Sequence, residues 1–178
     1  METKRLIFVR MDKKYIDFYL ENINNPEIYQ HINTKPNHYT YEDEKEWLKQ
    51  NKDLYQYTII EKETGLPVAN AGYNKTENNI GELGIWVTPK AQNKKYGREI
   101  LNKLIEFGYQ ELHLKRIVLT VHENNEKAFH LYKSLGFYKV GRPKAITDGL
   151  GNPTKKIHMI LKKKKEGINM KNNGTYPS

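Results

Sequence analysis

Gly81 to Leu112 reads GELGIWVTPKAQNKKYGREILNKLIEFGYQEL, and its period changes in the middle. Gly81 to Thr88 has the composition of a strand and is closed by Pro89. From Tyr96 the apolar residues recur every 3.6 positions, with Ile100, Leu101, Leu104, Ile105, Gly108 and Leu112 on one face. Between the two lies a polar loop, Lys90 to Lys95. The segment is therefore strand, loop, helix. A helix start presents about four unpaired N–H groups and the positive end of a dipole, a natural anion site. Gly97 lets backbone approach a ligand without an intervening Cβ, and Lys94, Lys95 and Arg98 add positive charge. Read alone, the pattern also fits an ordinary basic helix start.

Downstream, Arg116 to His122 (RIVLTVH) is a strand. A helix follows with Ala128, Leu131, Tyr132 and Leu135 at helical spacing, terminated at Gly136. Two strands, Phe137 to Val140 and Lys156 to Leu161, are joined by a turn-rich loop from Asp148 to Pro153. Upstream, Leu6 to Arg10 is a strand, and Asp12 caps a helix bearing Tyr15, Ile16, Tyr19 and Leu20. Asn24 to Tyr39, rich in Asn, Pro and His, reads as an irregular connection. Thr40 caps a second helix with Glu42, Asp43 and Glu44 in its first turn and Trp47 and Leu48 on its buried side. Tyr55 to Glu61 and Pro67 to Tyr73 form a hairpin around Glu63-Thr64-Gly65. The order is β-α-α-β-β-β-α-β-α-β-β, an α/β (α+β) fold with a mixed sheet flanked by helices.

The 178 residues are enough for one sizeable core and few for two. The expected organisation is a single domain over 1–161 and a basic flexible tail over 162–178. Cysteine is absent, which excludes disulfides, thiolate metal sites and a cysteine nucleophile; no metal is expected. No run approaches the ~18 apolar residues of a membrane span, and the N-terminus lacks an apolar signal core, so a cytoplasmic protein is expected, as monomer or homodimer. The formal net charge is +9. Lys162 to Lys165 and Lys171 against Glu166 contribute +5 − 1 = +4 of it. A solvated tail and a contact with RNA both fit that block.

A second motif is VHENNEKAFHLYKSLGF, Val121 to Phe137. Asn124 or Asn125 is suited to cap the helix, or to hydrogen-bond a ligand amide at the strand-to-helix step. Tyr132 is the ionisable member of the apolar stripe. It is either a packed tyrosine or a proton donor.

Both segments together resemble the GNAT superfamily of N-acetyltransferases, in the branch of ribosomal-protein alanine and spermidine acetyltransferases. The likeness runs from Leu6 to Leu161. The family's Q/R-x-x-G-x-G/A motif is matched by Gln92-Asn93-Lys94-Lys95-Tyr96-Gly97, with Lys95 standing where the first glycine is usual. Its N-x-x-A-x-x-L-Y-x-x-x-G-F motif is matched by Asn125, Ala128, Leu131, Tyr132, Gly136 and Phe137. The resemblance implies a splayed central sheet with acetyl-CoA between the strands Gly81–Thr88 and Arg116–His122. It implies that the backbone of Ile85, Trp86 and Val87 pairs with the pantetheine arm, that the N–H groups of Gln92, Asn93, Lys94, Lys95, Tyr96, Gly97 and Arg98 hold the pyrophosphate, and that Asn125 contacts the arm. It gives Tyr132 the role of acid toward the leaving thiolate.

The chemistry sets two demands. An amine attacks only when neutral, and the thiolate must be protonated or stabilised. A lysine-like amine of pKa ~10.4 is neutral about once in 10³ at pH 7, a penalty near ~4.6 kcal/mol, whereas an α-amine of ~8 costs about 1.4. Glu82, on the strand beside the cofactor, is the candidate base, acting through water; an ordinary strand-end carboxylate is the alternative. The acceptor's lip is expected from Asn24 to Trp47 and the Asp148–Pro153 loop. A non-catalytic module binding CoA or RNA on the same fold is the competing reading.

Overall fold

The computed structural model describes residues 1–165. A seven-stranded sheet runs in the order β1-β2-β3-β4-β5-β7-β6. Its strands are β1 (Leu6–Arg10), β2 (Gln56–Glu61), β3 (Pro67–Glu77), β4 (Ile80–Val87), β5 (Arg116–His122), β6 (Tyr138–Thr147) and β7 (Pro153–Lys162). The helices are α1 (Ile16–Ile23), α2 (Pro26–Ile32), α3 (Tyr41–Gln50), α4 (Tyr96–Gln110) and α5 (Glu126–Ser134).

Alternation along the strands decides the layers. Leu6 and Phe8 of β1, Tyr57 and Ile59 of β2, Ala69, Ala71 and Tyr73 of β3, Leu83 of β4, and Ile117, Leu119 and Val121 of β5 are buried in one cluster with Ile100, Leu101 and Leu104 of α4. Each fully buried Leu or Ile there contributes about 1.5–3 kcal/mol. The other face is covered from the N-terminal side: Tyr19 of α1 shares a hydrogen bond with Thr58 at 2.6 Å, and Phe18 lies 5.4 Å from the Trp86 ring.

Local chemistry explains the helix starts. Asp12 accepts from the Lys14 N–H and opens a 3-10 turn that runs into α1. Thr40 and Asp43 form a reciprocal capping box on α3. The buried residue of α3 is Glu44, with Trp47 and Leu48 only half-buried. The stretch expected as irregular, Asn24 to Tyr39, contains α2. Asn25 caps it through the Glu27 N–H, and Pro26 takes the first helical position, where its missing N–H costs nothing. β6 continues to Thr147, beyond the expected Val140, because β7 pairs with it from Pro153 across a register shift between Val140 and Lys144. Lys162, expected in the tail, closes β7 opposite Arg116, and the Lys163 N–H reaches the Lys115 carbonyl at 3.2 Å. The rest of the expected tail, 166–178, lies outside the described residues.

Candidate active site

β4 and β5 run parallel and pair only at Ile80↔Arg116, Gly81↔Ile117 and Glu82↔Val118. Both strands continue, to Val87 and His122, each paired on its other edge. Past Glu82 the strands therefore diverge and leave two backbone edges facing a gap. A bulge at Asn74, where β3 shifts register between Tyr73 and Lys75, sits opposite this parting point and adds local twist. Ile85, Trp86 and Val87 lie on the unpaired stretch of β4. Glu82 stands at the last rung with an exposed side chain.

At the top of β4, Pro89–Ala91 form a 3-10 turn; the Gln92 side-chain amide donates to the Val87 carbonyl at 3.1 Å, and its backbone N–H, expected in the donor row, bonds the Pro89 carbonyl at 3.3 Å instead. The sign of φ then alternates, with Gln92 at −68°, Asn93 at +68°, Lys94 negative and Lys95 at +62°. Such alternation turns successive N–H groups into one concavity, a nest for an anion. Among the described residues, no protein acceptor pairs with the backbone N–H of Asn93, Lys94, Lys95, Tyr96, Gly97 or Arg98. The left-handed Lys95 costs about 1–2 kcal/mol relative to a glycine. That donor row fits a pyrophosphate.

Several side chains here are otherwise engaged. Lys94 pairs with Glu61 at 3.3 Å, and the Tyr96 hydroxyl donates to the same carboxylate. Burial and that bond push the Tyr96 phenol up to about 12, while Tyr96, with Thr64 and Lys94, holds Glu61 below the usual carboxylate value. Lys94 and Tyr96 are left with their N–H groups as donors. Arg98 donates to Ser134 at 2.7 Å, clamping the start of α4 to the end of α5. A Cβ on Gly97 would come within 3.2 Å of Leu131 of α5, so this glycine also serves helix packing, beside the ligand approach that the sequence suggested.

Asn125 is the residue before α5, yet its side chain makes no capping bond. Its amide is thus left for other partners. Asn124 has a different task and donates to Asp148 at 2.9 Å.

α5 ends in a Schellman motif: the Phe137 N–H bonds the Tyr132 carbonyl at 3.1 Å, the Gly136 N–H bonds Lys133 at 3.1 Å, and Gly136 has φ +100°. The contact that accompanies such a motif joins Tyr132 to Phe137, ring centroids 6.0 Å apart. The L-Y-x-x-x-G-F pattern is thus a helix stop that fixes one phenol. Burial pushes the Tyr132 phenol up to about 12, and no hydrogen bond engages its hydroxyl among the described residues.

The expected lip is one fastened unit. The Gly149 N–H bonds the Gln30 carbonyl of α2 at 3.0 Å, and Thr147 reaches the Thr34 carbonyl at 2.6 Å. Asp148, fully buried, is the hub. Burial alone would raise its pKa, but donors from Gln30, Asn124 and the Leu150 and Asn152 backbone outweigh it and hold the carboxyl well below the usual range. His31 and His122 flank it, both pushed down by burial, and the Nδ1 atom of each is buried without a protein partner among the described residues. Sequence reasoning singled out neither these histidines nor Glu61. Their partners lie far along the chain, and no local pattern marks them.

Among the described residues, no helix is long and apolar enough to cross a membrane and no His or acidic cluster suits a metal. The chain is 27% identical over 154 residues to the uncharacterized N-acetyltransferase p20 of Bacillus licheniformis, covering 78% of this chain and 82% of that one. It is 35% identical over 60 residues, 34% of this chain and 35% of the other, to the spermidine N(1)-acetyltransferase of Vibrio cholerae. The crystal structure of spermidine N-acetyltransferase from Vibrio cholerae in complex with CoA and spermine superposes with a TM-score of 0.82 at 18% identity, covering 90% of this chain and 96% of that one. The acetyltransferase (GNAT) domain matches residues 5–138: this chain belongs to the GNAT family and transfers an acetyl group from acetyl-CoA to an amine.

Proposed function

We propose that the acceptor is a primary alkylamine of the polyamine class, acetylated by direct attack in a ternary complex, with Glu82 as base through water and Tyr132 as acid. The observation that carries this is the exposed carboxylate of Glu82 at the parting point of β4 and β5. A lysine-like amine, neutral about once in 10³ at pH 7, needs such a base, whereas an α-amine hardly does. The relatives named spermidine acetyltransferases support the same reading.

In this reading the N–H row from Asn93 to Arg98 takes the pyrophosphate, the free edge of Ile85 to Val87 and the Asn125 amide take the pantetheine arm, and a β4 N–H stabilises the oxyanion. Glu82 accepts the proton that the attacking amine gives up, and the Tyr132 hydroxyl supplies one to the departing sulfur. Thiol release from acetyl-CoA, measured with spermidine, spermine, aminoglycosides, amino acids and N-terminal peptides, tests the acceptor class. Polyamines should give the highest kcat/KM. A peptide N-terminus turned over faster would overturn the assignment and remove the need for Glu82.

A further inference from the structure

We infer that Glu61, on β2 and outside the cofactor gap, is a positioning residue for acetyl-CoA: it holds the pyrophosphate loop in the left-handed turn that Lys95, lacking glycine's freedom, would otherwise resist. Three observations carry this. Lys95 has φ +62° and no side-chain capping bond of its own. Its two neighbours in sequence, Lys94 and Tyr96, both bind the one buried carboxylate of Glu61, so the turn is tied down on either side of the strained residue. Glu61 is itself fixed, 5% exposed, its carboxylate accepting from Thr64 at 3.0 Å and its N–H donating to the Leu66 carbonyl at 2.9 Å.

The surroundings reinforce the tie. Arg5 stacks over the Tyr96 ring at 4.4 Å and pairs with Glu99 at 2.6 Å, which keeps Tyr96 pressed toward β2. Lys127 of α5 bonds the side chain of Asn93, the other left-handed residue, at 2.8 Å. The loop is thus braced from β2 on one side and α5 on the other. Without the β2 brace, Lys95 relaxes toward negative φ, the alternation that aligns the N–H row is lost, and the phosphate site opens. With glycine at 95 the left-handed conformation carries no such penalty and the brace becomes redundant.

This inference rests on the reading that the N–H row holds the pyrophosphate, and the test separates the two. Four proteins are compared, wild type, Glu61→Ala, Lys95→Gly and the double variant, each with acetyl-CoA and with S-acetylpantetheine, which lacks the pyrophosphate. Wild type should prefer acetyl-CoA strongly; equal KM for both donors would overturn the pyrophosphate reading itself. Glu61→Ala should raise KM for acetyl-CoA about tenfold or more, with kcat at saturation within threefold and KM for S-acetylpantetheine unmoved. Lys95→Gly should change KM little in the wild-type background and restore it to within threefold in the Glu61→Ala background. Additive effects, or an unchanged KM in Glu61→Ala, would overturn the role of Glu61 while leaving the pyrophosphate site standing. If Glu61→Ala does not fold, Glu61→Gln, which keeps a bond to Tyr96 and loses the charge that holds Lys94, carries the same comparison: KM for acetyl-CoA should rise and fall back on adding Lys95→Gly, and no rise overturns the role.

Discussion

Tyr132 is where packing and catalysis give different answers to one substitution. Phe keeps the ring that meets Phe137 and deletes the hydroxyl, so a purely structural Tyr132 would lose at most about 1 kcal/mol, with turnover unchanged. As acid, it should instead lose on the order of 10²-fold in kcat with KM for acetyl-CoA little changed. A phenol pushed up to about 12 is a weaker acid than a free one, but the same burial raises the proton affinity of a thiolate formed beside it. The phenol also stays protonated well past neutrality, so kcat should show no alkaline decline from this group below pH ~11. Thiol-release rates of Tyr132→Phe across pH, beside a melt that confirms folding, check both points; kcat within threefold of wild type, with chemistry rate-limiting, would remove Tyr132 from the mechanism. Its place was legible because the motif is a local device: stripe, stop and contact all fall within Asn125 to Phe137. Glu61 was not, since its partners Lys94 and Tyr96 are brought to it by the sheet and no spacing in the sequence announces the meeting.

Elements tell the same story at longer range. α4, β5 and α5 were legible with near-correct ends, because each carries a clean period and an explicit start or stop. α2 was not: Asn25-Pro26 reads equally as a turn, and only the Glu27 that follows favours the helix-start reading of a capping Asn and a proline at the first position. The consequence bears on function, since we propose α2 and the tip of the β6–β7 hairpin as the wall of the acceptor site, the lip expected from the sequence. The two meet backbone to backbone, and a Cβ on Gly149 would lie 2.2 Å from the Tyr29 carbonyl oxygen. Neither side can yield there as a flexible side chain would. Gly149→Ala should therefore part the hairpin from α2 and raise KM for the acceptor on the order of tenfold or more, while KM for acetyl-CoA stays near wild type, because misplacement of a substrate wall by about 1 Å is costly. Steady-state kinetics with each substrate varied in turn check this. Equal KM changes for both substrates would mean the wall and the cofactor gap are not separate units.

For the whole molecule, the decisive fact is how little sheet joins its two halves. β1 to β4 form one antiparallel block, and β5, β7 and β6 another; between them the ladder has only the rungs from Ile80↔Arg116 to Glu82↔Val118. The crossover helix α4, packed under both, and the bonds of α2 to the β6–β7 loop add to the connection. A ligand lying in the gap and bonding β4, the N–H row and Asn125 would tie the halves together and bind only the folded state. Linkage then requires stabilisation by RT ln(1 + [L]/Kd), about 2.7 kcal/mol at a hundredfold excess over Kd. For a domain of this size each kcal/mol moves Tm by roughly 2–4 °C, so acetyl-CoA should raise Tm by about 5–10 °C. S-acetylpantetheine, which cannot reach the N–H row, should raise it less at the same concentration. Native-state hydrogen exchange should show the protection concentrated in those β4 and β5 amides past Glu82 and Val118 that face the gap between the two strands, and in residues 93–98. Uniform protection across the chain would indicate stabilisation without bridging, and a Tm unmoved by millimolar acetyl-CoA would mean that the gap between β4 and β5 does not hold it.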